Sequence, residues 1–120
     1  MKQMTPFNCW TSRVQGQDVL TLIGEIDLST GPLFDRAAKP LGARLNSTLV
    51  FDLSGVTFMD STGLTVIAST LKRLAPRGSR LRIRGASPMI CRLFEITGIY
   101  ESEYLDLVGA DDELPSAASG

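Results

Sequence analysis

Three consecutive residues, Asp60-Ser61-Thr62, followed by Gly63-Leu64, carry most of the chemistry that this chain offers. They come after the apolar run Thr48–Leu53, which places a serine hydroxyl at the mouth of a strand-to-helix turn. A helix start presents unpaired backbone N–H groups and a partial positive charge, so a phosphate on Ser61 would be tolerated there. Its roughly −1.5 to −2 charges would change the surface strongly, which makes Ser61 a candidate switch site. A second reading of the same residues is structural. Asp60 and Ser61 can simply cap a helix, a role worth about 1 kcal/mol for each such side chain. The local residues leave both readings open.

Other chemistries are excluded by what the chain lacks. It has no histidine, which closes Ser-His-Asp and Cys-His catalysis and most catalytic zinc sites. Neither GxxxxGK[ST] nor GxGxxG occurs, so no known nucleotide cradle is present and no cofactor is expected. A hydrolase using Ser61 as nucleophile would need Lys or a carboxylate as its base. The chain is therefore expected not to be an enzyme. Twelve basic against 13 acidic residues leave a net charge of −1 without a basic block, which argues against nucleic acid as a partner. Two cysteines, Cys9 and Cys91, lack metal-ligand spacing and are too few for a disulfide framework, so buried free thiols in a reducing compartment are expected. No apolar signal core follows Met1, and nowhere do about 18 apolar residues run together, so the reading is cytoplasmic with no membrane partner.

The elements that must position Ser61 follow from spacing. Phe7–Val14 and Val19–Ile26 are β-rich runs joined by Gln15-Gly16-Gln17-Asp18, which predicts an antiparallel pair. Leu33, Phe34, Ala37, Ala38, Leu41 and Leu45 recur at helical intervals, with Pro32 in a first turn and Pro40 expected to kink or interrupt the helix. Thr48–Leu53 reads as a mid-sheet strand covered on both faces. Leu64, Ile67, Ala68, Leu71 and Leu74 mark the buried stripe of a second helix that starts near Asp60 and ends before Pro76. Leu81–Arg84 is a short strand, Ser87-Pro88 opens a third helix with Ile90, Leu93 and Phe94 inward, and Thr97-Gly98-Ile99 ends it. Tyr104–Val108 is expected as an edge strand, and 109–120 as a disordered tail.

Gly24-Glu25-Ile26-Asp27, the stretch Asp52–Leu64, Ser87-Pro88 and Leu93–Ile99, in this order and on these elements, resemble the STAS domain of bacterial anti-sigma factor antagonists. The match spans Phe7 to Leu107. It implies an α/β fold: one domain over 1–108, with a mixed β-sheet, an N-terminal antiparallel pair and three or more helices packed mainly on one face. It also implies partner switching. In such proteins the serine matching Ser61 is phosphorylated by an ATP-dependent anti-sigma factor serine kinase. The unmodified antagonist binds that kinase and frees a sigma factor, and a serine phosphatase reverses the modification. An alternative is a STAS interaction module within a larger stress-sensing complex, without a cognate kinase.

The resemblance places the residue matching Asp27 at the kinase-facing surface. Phe58 and Met59, on the loop after the central strand, are both candidates for that surface, one of them expected to face the partner. Thr62 is expected to face solvent beside the site. Gly63 either relieves crowding or admits a partner backbone, since glycine in a helix's first turn costs roughly 1 kcal/mol relative to alanine. Val66 lies off the Leu64–Ile67–Leu71 stripe and is expected to be exposed contact surface. Thr62 where the family often has serine, and Pro40 in the first helix, are departures that leave the acceptor intact.

Overall fold

Gln15 and Gly16 both take positive φ, 49° and 80°, the geometry a two-residue hairpin turn needs to match the twist of its strands. They join β1 (Asn8–Val14) to β2 (Gln17–Ile26) as an antiparallel pair. The chain then runs through α1 (Gly31–Ala38), β3 (Thr48–Met59), α2 (Ser61–Leu74), a short 3-10 turn, β4 (Arg80–Arg84), α3 (Pro88–Thr97) and β5 (Leu105–Val108). These elements come from a computed structural model that describes residues 6–99 and 102–108. The tail expected over 109–120 lies outside the described residues.

The five strands form one sheet in sequence order, with β2, β3, β4 and β5 parallel. Three successive right-handed crossovers stepping in the same direction bring their helices to the same face of a sheet. The burial pattern agrees. Leu20, Leu22, Leu49, Phe51, Leu53, Leu81, Ile83 and Leu105 form one core with Phe34 of α1, Ile67 and Leu71 of α2, and Ile90 and Phe94 of α3. The opposite face carries a polar row, in which Arg84 pairs with Asp52 at 3.2 Å and Arg80 with Asp106. Asp106 is held below the ordinary carboxylate range, chiefly by the hydrogen bond from Arg80.

Two elements differ from their sequence-based bounds. α1 stops at Ala38, because Pro40 has no N–H with which to continue the helix, so Leu41 and Leu45 lie beyond it and Leu45 is exposed. Leu33 also points outward, and the buried face is Gly31, Phe34 and Ala38. The carbonyls at and just beyond this helix end are gathered by Arg73 of α2, which donates to Ala38 O at 3.1 Å, Leu41 O at 3.0 Å and Lys39 O at 3.3 Å. β3 runs to Met59 rather than Leu53. Register shifts between Thr21 and Ile23 and between Gly24 and Glu25 let β2 follow it for its full length.

Ser87 caps α3 as expected, accepting from Ile90 N at 3.3 Å, and Gly98 ends it in the left-handed conformation. Both cysteines are half-buried free thiols, rather than fully buried ones. Ala68 is exposed and lies off the inner face of α2. The Phe34 and Phe51 rings meet edge to face with centroids 5.3 Å apart and join α1 to the middle of the sheet. Phe34→Ala is expected to cost about 3–5 kcal/mol of stability, measured by denaturant unfolding, since both rings are fully buried.

Candidate functional site

β2 and β3 are parallel and in register to their last residues, with Ile26 opposite Met59. Both strands therefore end side by side, and the turns leaving them, Asp27–Thr30 and Asp60, begin at the same end of the sheet. Asp60 N donates to Ile26 O at 3.2 Å and ties the two turns together. The N-termini of α1 and α2 start from this edge, so two partially positive helix ends converge there.

Asp60 is the N-cap of α2. Its backbone is extended and its Oδ1 accepts from Thr62 N at 2.8 Å. Ser61 is the first helical residue, with an exposed side chain. The structural and the functional readings of Asp60-Ser61 thus separate: the aspartate does the capping and the serine hydroxyl faces solvent. A phosphate on Ser61 would stand next to a carboxylate that already holds one N–H of the helix start.

Asp27 organises its own turn. Its Oδ1 accepts from Ser29 Oγ at 2.8 Å, Ser29 N at 3.0 Å and Thr30 N at 3.2 Å. Thr30 Oγ1 accepts from Asp27 N at 2.9 Å and donates to Glu25 O at 2.8 Å, which locks the turn to the end of β2. The Ser29 hydroxyl, followed by the backbone N–H groups of Thr30 and Ser29, holds the Asp27 carboxyl below the ordinary carboxylate range. Asp27 is therefore ionised at neutral pH, and it shapes the turn as well as its surface.

Three of the residues assigned to the partner surface are interior. Met59 is 2% exposed because, after the two register shifts, it pairs with the buried Ile26 on the core side of the sheet, which leaves Phe58, 39% exposed and opposite Glu25, as the member of that pair that faces out. Gly63 is buried under the same methionine. A Cβ there would lie 2.6 Å from Met59 Cγ, 2.9 Å from Met59 Sδ and 3.1 Å from Ile26 Cγ2, so the glycine admits the core and not a partner backbone. Val66 is 6% exposed, contrary to the expectation from the helical stripe. α2 packs against α1 as well as against β3 and β4, and this second neighbour widens its buried face beyond one stripe. Thr62 is half-buried rather than solvent-facing. Its Cγ2 lies where a Cβ on Gly31 would be, so the starts of the two helices touch through the bare backbone of α1.

Between the helices runs a groove of about 430 Å³, with Leu28, Gly31, Pro32 and Asp35 on one side and Ser61, Thr62, Thr65, Val66 and Ser69 on the other. Leu28, 81% exposed, stands at its rim on the turn that Asp27 braces. Spacing arguments missed Leu28, because an isolated leucine between a strand and a helix carries no periodic signal. The available hint was its place between Asp27 and the turn residues Ser29-Thr30.

The fold has known counterparts. A STAS domain family model matches residues 10–110. The chain belongs to the STAS domain family. An anti-sigma-B factor antagonist of Listeria monocytogenes is 37% identical over 91 residues, covering 76% of this chain and 78% of that protein. One from Staphylococcus aureus is 40% identical over 76 residues, covering 63% and 70%. Among solved structures, an anti-sigma factor antagonist from Mycobacterium paratuberculosis superposes with a TM-score of 0.73 at 27% identity, covering 84% of this chain and 86% of that one. The STAS fold is shared at 16% identity, with a TM-score of 0.61, by the unphosphorylated form of SpoIIAA. Among the described residues, no cluster of three or more His, Cys, Asp or Glu side chains suits a metal ion, and no helix is long and apolar enough to cross a membrane.

Two substitutions test this geometry. Gly63→Ala is expected to lower stability by about 1–3 kcal/mol in denaturant titrations, because Met59 must give way to the new methyl. Asp27→Asn is expected to lower Tm at pH 7. Since the folded-state pKa of Asp27 is depressed, the stabilisation its carboxylate brings is present above the unfolded value, about 3.9, and is lost as pH falls through the folded value. Melting curves of the two proteins should therefore converge as pH drops from 7 to 3.

Proposed function

We propose that this protein is an anti-sigma factor antagonist that works by partner switching at Ser61. The unmodified form binds an anti-sigma factor with serine kinase activity and so releases a sigma factor. The kinase moves the γ-phosphoryl group of its ATP to Ser61 Oγ: the bond to ADP breaks, a P–O bond to the serine forms, and the hydroxyl proton passes to a base on the kinase. The phosphorylated form no longer binds, and a serine phosphatase returns the hydroxyl by hydrolysis.

The observation that carries this reading is the exposed Ser61 hydroxyl at the first position of α2, directly beside the capping Asp60. An acceptor of this kind needs access from outside, and the exposure of Ser61 on a capped helix start supports the reading. The names of the curated relatives from Listeria and Staphylococcus support the same assignment. The chain's part is to present the hydroxyl and the surface around it, with ATP binding and transfer left to the partner. Asp27 and Phe58 flank that surface, at the ends of β2 and β3.

The switch is electrostatic on this reading. Phosphate adds roughly −1.5 to −2 charges close to Asp60 and Asp27, and an interface would have to desolvate all of them together. Incubation with ATP and each candidate anti-sigma kinase of the same genome, followed by mass spectrometry, is the direct test. Wild type and Thr62→Ala are expected to gain one phosphate and Ser61→Ala none. Ser61→Ala should keep kinase binding, and Ser61→Asp should weaken it roughly tenfold or more, since a carboxylate carries part of the added charge. Stoichiometric phosphate on Ser61→Ala would overturn the acceptor assignment. Binding to an anti-sigma factor with no phosphate on any variant would leave an interaction module without a switch.

A further inference from the structure

The groove between α1 and α2 has a use that the phosphoacceptor alone does not require. It begins at Ser61 and continues for two turns along α2, past Thr65 to Ser69, faced by Pro32 and Asp35 of α1. Val66 gives it an apolar floor, and Leu28 stands exposed at its rim. An exposed leucine is commonplace on its own. Leu28 differs in being held: the three hydrogen bonds that Asp27 Oδ1 receives from Ser29 and from Thr30 N, together with the Thr30–Glu25 bond, fix the turn that displays it. A side chain displayed on a rigid turn loses little freedom on binding, which is the property of an interface anchor.

We infer that this groove, with Leu28 as its rim, is the docking site for an apolar side chain of the anti-sigma factor, presented on a segment that also carries Lys or Arg. The inference rests on the proposed function and extends it from one hydroxyl to a recognition surface. Charge selects the occupant. Asp35 lies in the groove wall, and Asp27 and Asp60 border the end where Ser61 sits. Asp35 already pairs with Lys39 at 3.1 Å, so Asp27 and Asp60 are the carboxylates that a basic partner would meet first. A second copy of this chain would bring like charges together at this face, and nucleic acid would be repelled by it. A basic, apolar protein segment matches both the floor and the rim. The groove is also continuous with Ser61, so a segment seated in it would bring a kinase's active centre to the hydroxyl and would be dislodged by phosphate at the groove's own mouth.

The probe is the anti-sigma kinase that labels Ser61, and the readout is its Kd by calorimetry, together with the rate of phosphorylation. Leu28→Asp is the main variant. Its side chain is 81% exposed, so its loss should leave Tm close to wild type. Ser69→Trp, on an exposed helix position, fills the far end of the groove from the other side. Thr11→Asp, on the exposed face of β1, is the control. Leu28→Asp is expected to weaken binding roughly thirtyfold and Ser69→Trp roughly tenfold, with Thr11→Asp unchanged. Wild-type affinity in both groove variants, while the same kinase still labels Ser61, would overturn the groove and leave the proposed function standing. Failure of every anti-sigma factor to bind or label the wild-type protein would overturn the function, and the groove's role with it. Sedimentation showing a dimer that Leu28→Asp dissolves would assign the groove to a second copy and overturn the inference in that way.

Discussion

The hydrogen bond from Asp60 N to Ile26 O, 3.2 Å long, is the last tie between the second and third strands, and the whole site depends on it. Parallel pairing brings two strands to a common end only if their register holds to the last residue. Here it must absorb two shifts on the way, and it still places Ile26 opposite Met59. One residue of slip would turn Met59 outward and Phe58 into the core, and would carry Asp60 away from Asp27. The core guards against that slip. Met59 and Ile26 close over Gly63, where any side chain would collide with them, so the start of α2 is held by packing as well as by its cap.

A second consequence is the separation of roles along Asp60-Ser61-Thr62. Asp60 satisfies the backbone of the helix start and Thr62 packs against Gly31 of α1. Ser61 takes neither role, and its side chain is exposed to solvent. A residue that serves as the acceptor of a reversible modification benefits from such neighbours, since neither loss nor gain of phosphate then has to disturb a cap or a core contact. The same division explains why Asp27 matters twice. Its carboxylate orders the turn after β2 and, being ionised, gives the surface beside Ser61 its charge.

The order of elements was legible from periodicity, because the strands are apolar on one face and the helices amphipathic. The Ser61 turn was legible as well, since capping chemistry is local and Asp60 sits where a cap must sit. What periodicity could not show was which faces the helices turn to each other. Val66 lies off the stripe that meets the sheet and is buried all the same, on the side of α2 that is turned towards α1. Met59 and Phe58 look alike in a sequence, and only the continuation of β3 past Leu53 decides which points inward. Leu45 carried a helical spacing that Pro40 had already ended. The groove is a property of two helices at once, and for that reason no single stretch of the chain announced it.

On the proposed function, the surface around Ser61 is built in advance, and phosphorylation changes its charge without changing the fold. Amide chemical shifts of the phosphorylated and unphosphorylated protein test this most directly. Changes confined to the turn at Asp27 and Leu28, the start of α1 and the stretch Phe58–Val66 are expected, with β4 and α3 unmoved. Widespread shifts across Leu81–Ile99 would show a rearrangement of the fold and would contradict this expectation.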